Sequence, residues 1–181
     1  MTSKRVELST PTLADADEFL AVMRRSRALH RPWLYPPLSE ARYAAYLERI
    51  ALDRYEGFIA RRRDDGAIVG WLNVSEIVRG SLQGAFLGYG GVAGFDGHGY
   101  MTDALGLVVR RAFTTLRLHR LEANIQPGNR ASTALVRRCG FEREGFSPRY
   151  LKVGGRWRDH ERWALRAETW RAARAEHRSS A

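Results

Sequence analysis

Cysteine is almost absent from this sequence, since Cys139 is the only one in 181 residues. A single cysteine excludes an internal disulfide framework and favours a reducing compartment. No stretch approaches the run of about 18 apolar residues that a membrane-spanning helix needs. The first residues also lack the apolar segment of a secretory signal. The sequence therefore predicts a cytoplasmic protein that does not enter a membrane.

Lysine is scarce as well: Lys4 and Lys152 are the only lysines among 30 basic residues, and the formal net charge is +10. Such a balance suits nucleic acid or an acidic ligand, but it is equally typical of a solvated, arginine-rich surface. No zinc-ligand spacing and no aromatic RNA-binding motif accompanies the charge. We therefore expect no metal and no specific nucleic acid, and non-specific RNA contact stays open.

The chain has the length and apolar content (44%) of one folded domain. Hydrophobic periodicity predicts strands over 4–11, 57–63, 67–78, 84–92, 119–126, 141–153 and 156–165, and helices over 12–26, 39–55, 99–116 and 127–140. Three prolines predict a loop over 27–39, and the tail from residue 166 is left as either helix or frayed chain. This order indicates a mixed α/β sheet.

A glycine-rich segment, GVAGFDGHGYMTDALG (91–106), lies before the third predicted helix. A helix N-terminus has unpaired N–H groups and partial positive charge, and glycine lets the backbone approach a ligand closely. The N–H groups from Gly97 to Met101 are therefore predicted to face a phosphate. The segment lacks the lysine of a Walker A loop. A tight turn without a ligand is the alternative.

Four motifs in order make the chain resemble the GCN5-related N-acetyltransferase (GNAT) family, in its RimJ/RimL branch of ribosomal-protein N-terminal acetyltransferases. They are Gly97-His98-Gly99-Tyr100-Met101-Thr102, Asn129-x-x-Ser132, Gly140-Phe141-x-x-Glu144-Gly145 and Trp157-Arg158-Asp159-His160. The resemblance covers 5–166 as one acetyltransferase domain and leaves 167–181 as a basic C-terminal tail. It implies the single-domain GNAT fold: a mixed, mostly antiparallel central sheet with a splayed strand pair, flanked by helices.

The resemblance implies acetyl-CoA as the acetyl donor, with no metal. The residues it assigns to the pyrophosphate are Gly94, Gly97, His98, Gly99, Tyr100 and Met101. Backbone near Gly91 and Val92 would pair with pantetheine. Asn129 would bond the pantetheine or the thiol, although Asn-x-x-Ser is also a good helix start. The family's usual loop arginines are missing, because Gly94 and Asp96 stand in their places.

The catalytic residues are less clearly implied. The tyrosine that many relatives place on the second motif's helix is Val136 here. Ser132 is the candidate acid, with a first-turn helix hydroxyl as its alternative role. Candidates for the base are Tyr150, for which a place in the core is the alternative, and Glu122, for which an exposed charge on the sheet face is the alternative. For Asp159 and His160 a structural hydrogen bond is favoured over a catalytic pair.

The acceptor is expected to enter beside Trp33 and Tyr35, whose alternative role is to cap the core. The favoured acceptor is the N-terminal α-amine of a ribosomal protein, because such an amine, with a pKa near 8, needs only mild base assistance. A small amine, or a non-catalytic acetyl-CoA-binding module, stays open as an alternative. A homodimer also stays open.

Overall fold

The computed structural model describes residues 1 and 3–179. Within them the chain forms seven strands and six α-helices. The strands are β1 (Val6–Ser9), β2 (Glu56–Arg62), β3 (Ile68–Val78), β4 (Gly84–Gly91), β5 (Arg120–Ile125), β6 (Glu142–Val153) and β7 (Arg156–Arg166). The helices are α1 (Ala16–Arg25), α2 (Arg27–His30), α3 (Glu40–Ile50), α4 (Tyr100–Thr114), α5 (Arg130–Arg138) and α6 (Ala167–Ser179).

The strands form one sheet in the order β1-β2-β3-β4-β5-β7-β6. All neighbours are antiparallel except β4 and β5, which run parallel and are linked by α4. These two strands pair only from Gly84 to Phe86 on β4, opposite Arg120 to Glu122 on β5. Beyond Phe86 they separate, so the predicted splayed pair is confirmed and a gap opens in the middle of the sheet.

Apolar side chains cover both faces of the sheet. On one face α4 and α5 pack against residues such as Leu72, Leu121 and Trp163. On the other face α1 and α3 enclose a smaller core around Ile59 and Ile68. We call these the donor face and the acceptor face, respectively. Because side chains alternate along a strand, each strand residue can be assigned to one face.

The predicted elements agree with the structure at most positions, because their hydrophobic periods are strong. One prediction is wrong: the segment predicted as loop over 27–39 contains the single helical turn α2, which ends before Pro32. The tail is helical, and its first residue, Ala167, is buried. Trp170 packs against Phe113 of α4, with ring centroids 5.6 Å apart. The start of the predicted tail is thus packed against the domain.

Among residues 1 and 3–179, no helix is long and apolar enough to cross a membrane. The same residues contain no cluster of three or more His, Cys, Asp or Glu that could hold a metal ion.

Candidate active site

A cleft of about 960 Å³ passes through the gap between β4 and β5. The glycine loop and the start of α4 line one end of it. The other end is lined by α2 and the residues after it, the end of β5, and His160 of β7. The gap thus connects a loop suited to phosphate with a pocket on the acceptor face.

The edge of β4 presents backbone groups to the gap. Val92 donates its N–H to the carbonyl of Val69 on β3, and its own carbonyl accepts from Phe95. Both backbone groups of Val92 are therefore used within the protein, which moves the expected pantetheine contact away from it. Because backbone groups alternate in direction along a strand, those of Gly91 and Tyr89 face away from β3, toward the gap, although the Gly91 carbonyl already accepts a hydrogen bond from Nε2 of His30.

The start of α4 has unpaired backbone donors and a glycine-rich turn before it. Gly94, Gly97 and Gly99 all have positive φ values (89°, 77° and 81°), a conformation that glycine adopts without strain. In the described chain no protein acceptor receives the N–H groups from Gly97 to Met101. Five unpaired donors at the positive end of a 15-residue helix form a cradle for an anion.

The side chains around this cradle differ from the expected set. The carboxylate of Asp96 accepts from the N–H of Gly94 at 3.1 Å, so Asp96 occupies one loop donor. Arg5, from the chain before β1, donates to the carbonyl of His98 at 2.9 Å and to Asp103 at 2.9 Å. Arg5 therefore brings a positive charge to the loop, in which the arginines usual in the family are missing.

Ser132 lies in the first turn of α5 and lines the cleft. Its Oγ is 2.6 Å from the hydroxyl of Tyr89, which comes from the gap edge of β4. Its N–H donates to Oδ1 of Asn129, so Asn129 is the N-cap of α5 as well as a cleft residue. Burial raises the pKa of Tyr89 well above its ordinary value. Tyr89 therefore keeps its proton and can donate it to the Ser132 oxygen.

His160 also lines the cleft and is only 2% exposed. Its Nδ1 lies 2.9 Å from the carbonyl of Arg158. Asp159 instead accepts from the N–H of Arg149 at 2.8 Å. The hydrogen-bond partner of His160 is therefore a main-chain carbonyl, and Asp159 is bound elsewhere.

The two residues predicted to wall the acceptor end take different positions. Trp33 lines the cleft, where its carbonyl accepts from Nε2 of Gln126 at 2.8 Å. Tyr35 lies outside the lining residues and packs over Gly154 in the turn between β6 and β7. A Cβ on Gly154 would stand 2.5 Å from the Tyr35 ring, so this turn requires glycine.

Neither candidate base borders the cleft. Glu122 is bound by Arg120 at 2.6 Å, and Arg120 also binds Glu144. Tyr150 is 36% exposed on β6, and its ring packs in a T-shaped arrangement with the ring of His160. Cys139 is half-buried, and burial raises the pKa of its thiol to about 11, which leaves little thiolate at neutral pH.

Sequence reasoning missed three residues that the fold brings to the cleft. His30 donates from Nε2 to the carbonyl of Gly91 at 2.7 Å, which holds α2 against β4. Asn124 has a buried Oδ1 with no partner among the described residues. Tyr89 stands in the strand segment LGYGG, where a lone large residue among glycines was the available signal. These three residues come from segments far apart in the sequence, and only the folded structure brings them to one cleft.

Tyr89→Phe tests the pairing with Ser132. We expect kcat to fall about tenfold, because a hydrogen bond of about 1 to 1.5 kcal/mol is lost at the hydroxyl. Donor affinity should stay unchanged, since the backbone of Tyr89 is kept. Initial rates and calorimetry with coenzyme A measure the two quantities. An unchanged kcat would show that Tyr89 does not act on Ser132.

These features fit coenzyme A. Free amides at a helix start suit its pyrophosphate, and the unpaired edge of β4 suits the amide groups of pantetheine. The fold and cleft together define the class of acyl-CoA-dependent transferases.

Residues 5–142 match the family described as Acetyltransferase (GNAT) domain. The chain is 37% identical over 124 residues (68% of each protein) to the probable N-acetyltransferase YjcK of Bacillus subtilis. It is 40% identical over 111 residues to the [ribosomal protein uS5]-alanine N-acetyltransferase of Escherichia coli, covering 61% of this chain and 57% of that protein. Its structure matches Mycobacterium smegmatis RimJ in complex with CoA-disulfide at 28% identity and a TM-score of 0.81, covering 93% and 88% of the two chains.

The chain belongs to the GNAT family. It is an N-acetyltransferase, and acetyl-CoA is its co-substrate.

Proposed function

We propose that the acceptor is the N-terminal α-amine of a protein, and specifically of a ribosomal protein. Two relatives support this choice: the E. coli enzyme named for alanine of ribosomal protein uS5, and M. smegmatis RimJ. The similarity to the E. coli protein spans 57% of its length. The acceptor end of this chain's own cleft supplies the further argument.

The distribution of acids in the cleft carries the proposal. Among the described lining residues, the acids are Asp96 and Asp103, and both lie at the glycine-loop end. The acceptor end contains Trp33, Asn124 and Gln126 instead. A polyamine carries several positive charges, which need carboxylates in a partly buried pocket. A peptide α-amine carries at most one charge and becomes neutral near pH 8, so it suits a pocket without acids.

The cleft residues divide the chemistry between them. The loop amides and α4 hold the pyrophosphate, and the gap edge of β4 orients the thioester. Ser132, with Tyr89 behind it, donates a hydrogen bond to the leaving thiolate. That thiolate has a pKa comparable to the ~8.5 of cysteine and needs only a weak acid. Fixing donor and amine side by side supplies much of the rate enhancement.

An acceptor panel tests the proposal. Peptides beginning with Ala, Ser or Thr are compared with spermidine and with free amino acids at equal concentration, and released coenzyme A thiol is measured. We expect kcat/KM to be highest for the peptides. Faster turnover of spermidine or of a free amino acid would overturn the assignment. Spermidine is included because a spermidine N-acetyltransferase of Vibrio cholerae shares this fold at 16% identity.

Gly88→Val probes the acceptor pocket itself. Gly88 lines the cleft on β4 and has no left-handed backbone, and a Cβ there would point into open space. Valine suits a strand, so the fold should be kept. We expect acceptor KM to rise about fivefold, since overpacking costs about 1 kcal/mol or more. Coenzyme A affinity is the control. An unchanged acceptor KM would place the amine elsewhere.

Other partner predictions concern surfaces away from the cleft. The β6–β7 hairpin exposes Phe146, Leu151 and Trp157, and it also carries arginines. Non-specific RNA contact and a homodimer both stay predictions, as does the cytoplasmic location.

A further inference from the structure

The acceptor pocket contains a buried side chain, His160, to which the steps described above assign no role. His160 lines the cleft from β7 and is 2% exposed. We propose that His160 is the general base of the transfer, accepting the amine proton on Nε2. The inference rests on acetyl transfer to an amine and not on which amine is used.

The hydrogen bond of His160 determines which ring nitrogen is free. A carbonyl oxygen only accepts, so Nδ1 must carry the proton that it donates to Arg158. Burial is the main cause that lowers the pKa of His160, while the Arg158 carbonyl and Asp159 oppose it. The ring is therefore neutral near pH 7, and Nε2 carries a lone pair. Nε2 has no hydrogen-bond partner among the described residues and is not sealed from the cleft.

Strand register places His160 on the side from which the amine arrives. Asn124 pairs with Arg162, so these side chains and His160, two residues along, share the acceptor face. Ser132 lies on α5, which covers the donor face. A base on one face and the thiol's hydrogen-bond donor on the other lie on opposite sides of the gap. This arrangement suits an amine and a thiol that bond the same carbonyl carbon in turn.

The groups around His160 include no cleft-lining carboxylate that could act as the base in its place. The rings of Tyr150 and His160 pack edge-to-face with their centroids 6.3 Å apart, and Ser147 of β6 pairs with His160. The charged residues near it on β7 are Arg158, Asp159, Glu161 and Arg162. Glu161 pairs with Ile125 and accepts from Nε1 of Trp163, so it lies on the opposite face of the sheet from His160. Gln126 is the polar residue beyond the paired end of β5. No carboxylate among the cleft-lining residues lies at this end.

Two other histidines line the cleft, and neither can take this role: His98 lies in the glycine loop at the opposite end, and His30 is bound to β4. His30 donates from Nε2 to Gly91, and its Nδ1 is sealed inside the protein without a partner. A sealed nitrogen cannot reach an incoming amine, so His30 holds the strand and His160 is left to accept the proton.

The proton transfers balance. The neutral amine forms the N–C bond, and its proton passes to Nε2 of His160. The C–S bond breaks, and the thiolate takes a proton through Ser132 from solvent. His160 then releases its proton to solvent, so the products are the N-acetyl amine and coenzyme A.

The pH dependence of kcat tests the inference, with both substrates saturating and any amine that the wild type acetylates. Wild-type kcat should fall at acidic pH, because protonated His160 cannot accept a proton. Since burial lowers the pKa of His160, we expect the midpoint of this limb on the acidic side of the ordinary histidine value of about 6.5. In His160→Gln this acidic limb should vanish, and kcat at pH 7.5 should fall about 100-fold. In His160→Ala, added imidazole should restore at least a tenth of the wild-type rate.

Controls separate catalysis from folding. His119→Gln changes an exposed histidine that contacts Glu168 and does not line the cleft. The acidic limb of its kcat profile should therefore remain. Circular dichroism at each pH and calorimetry with coenzyme A confirm folding and donor binding. A folded, donor-binding His160→Gln that keeps the limb overturns the inference, as does a rate loss that imidazole does not reverse. If neither variant folds, the pKa of His160 is measured in the wild type by NMR titration. A pKa equal to the midpoint of the acidic limb of kcat supports His160 as the base, and a different pKa refutes it.

Discussion

Ser132→Ala is expected to lower kcat about 100-fold while leaving coenzyme A affinity nearly unchanged. Hydrogen bonding by Ser132 matters only as negative charge develops on the sulfur, so its loss affects the transition state and not the ground state. A positioned acid contributes roughly 100-fold or more, and the low pKa of the leaving thiol favours the low end. Initial rates at saturating substrate and calorimetry with coenzyme A measure the two quantities.

Thr133→Ala is the matched control for this change. Thr133 is also in the first turn of α5, but it is not a cleft-lining residue. This variant also removes a hydroxyl from the first turn of the helix, so it reports any effect of that loss on the helix itself. We expect its kcat to equal that of the wild type. If Ser132→Ala folds and turns over as fast as Thr133→Ala, with chemistry limiting the rate, then Ser132 is not the acid.

Gly97→Val is expected to weaken coenzyme A binding at least tenfold, which corresponds to about 1.4 kcal/mol. A Cβ on Gly97 would meet no protein atom within 4 Å. The added side chain therefore enters the space where a phosphate would approach the loop amides. Calorimetry with coenzyme A and with its dephosphorylated, pyrophosphate-free fragment pantetheine shows which part of the donor loses contact. Gly97→Val should bind coenzyme A more weakly than the wild type does and should bind pantetheine equally well.

Gly66→Val controls for backbone strain. Gly66 has nearly the same positive φ (75° against 77°), also has open space at its Cβ, and lies in the β2–β3 turn away from the cleft. Both variants should lose similar stability, because a side chain at positive φ costs about 1–2 kcal/mol. Equal coenzyme A affinity in the two variants would mean that the loop is only a turn.

The sequence predicted those parts of the fold that depend on local pattern. The buried stripe of α4, which includes Leu105, Val108 and Phe113, follows a helical period, and Gly140 closes α5 with a positive φ of 86°. The glycine loop was found for the same reason, since its conformation needs residues without side chains. Strong motifs then indicated the family and, through it, the splayed strands.

The catalytic pairing could not be predicted in the same way. Tyr89 and Ser132 are 43 residues apart, and only the meeting of β4 with α5 brings their hydroxyls together. Glu122 was a candidate base because the sequence does not show that the Arg120 side chain binds its carboxylate. Val92 looked available because no sequence pattern shows whether an amide faces β3 or β5. Such assignments depend on strand register, which single-residue propensities do not encode.

The gap between β4 and β5 also has a mechanical consequence. The sheet consists of two halves, β1–β4 and β5–β7, whose strands meet through three residue pairs at one end of a seam. A donor lying along that seam bonds to one half and packs against the other, so it acts as a tie between them. The free energy of unfolding therefore rises with donor occupancy: a ligand at 100 times its Kd stabilises the folded state by about 2.7 kcal/mol. The folded enzyme is thus expected to resist unfolding most when it is loaded with its donor.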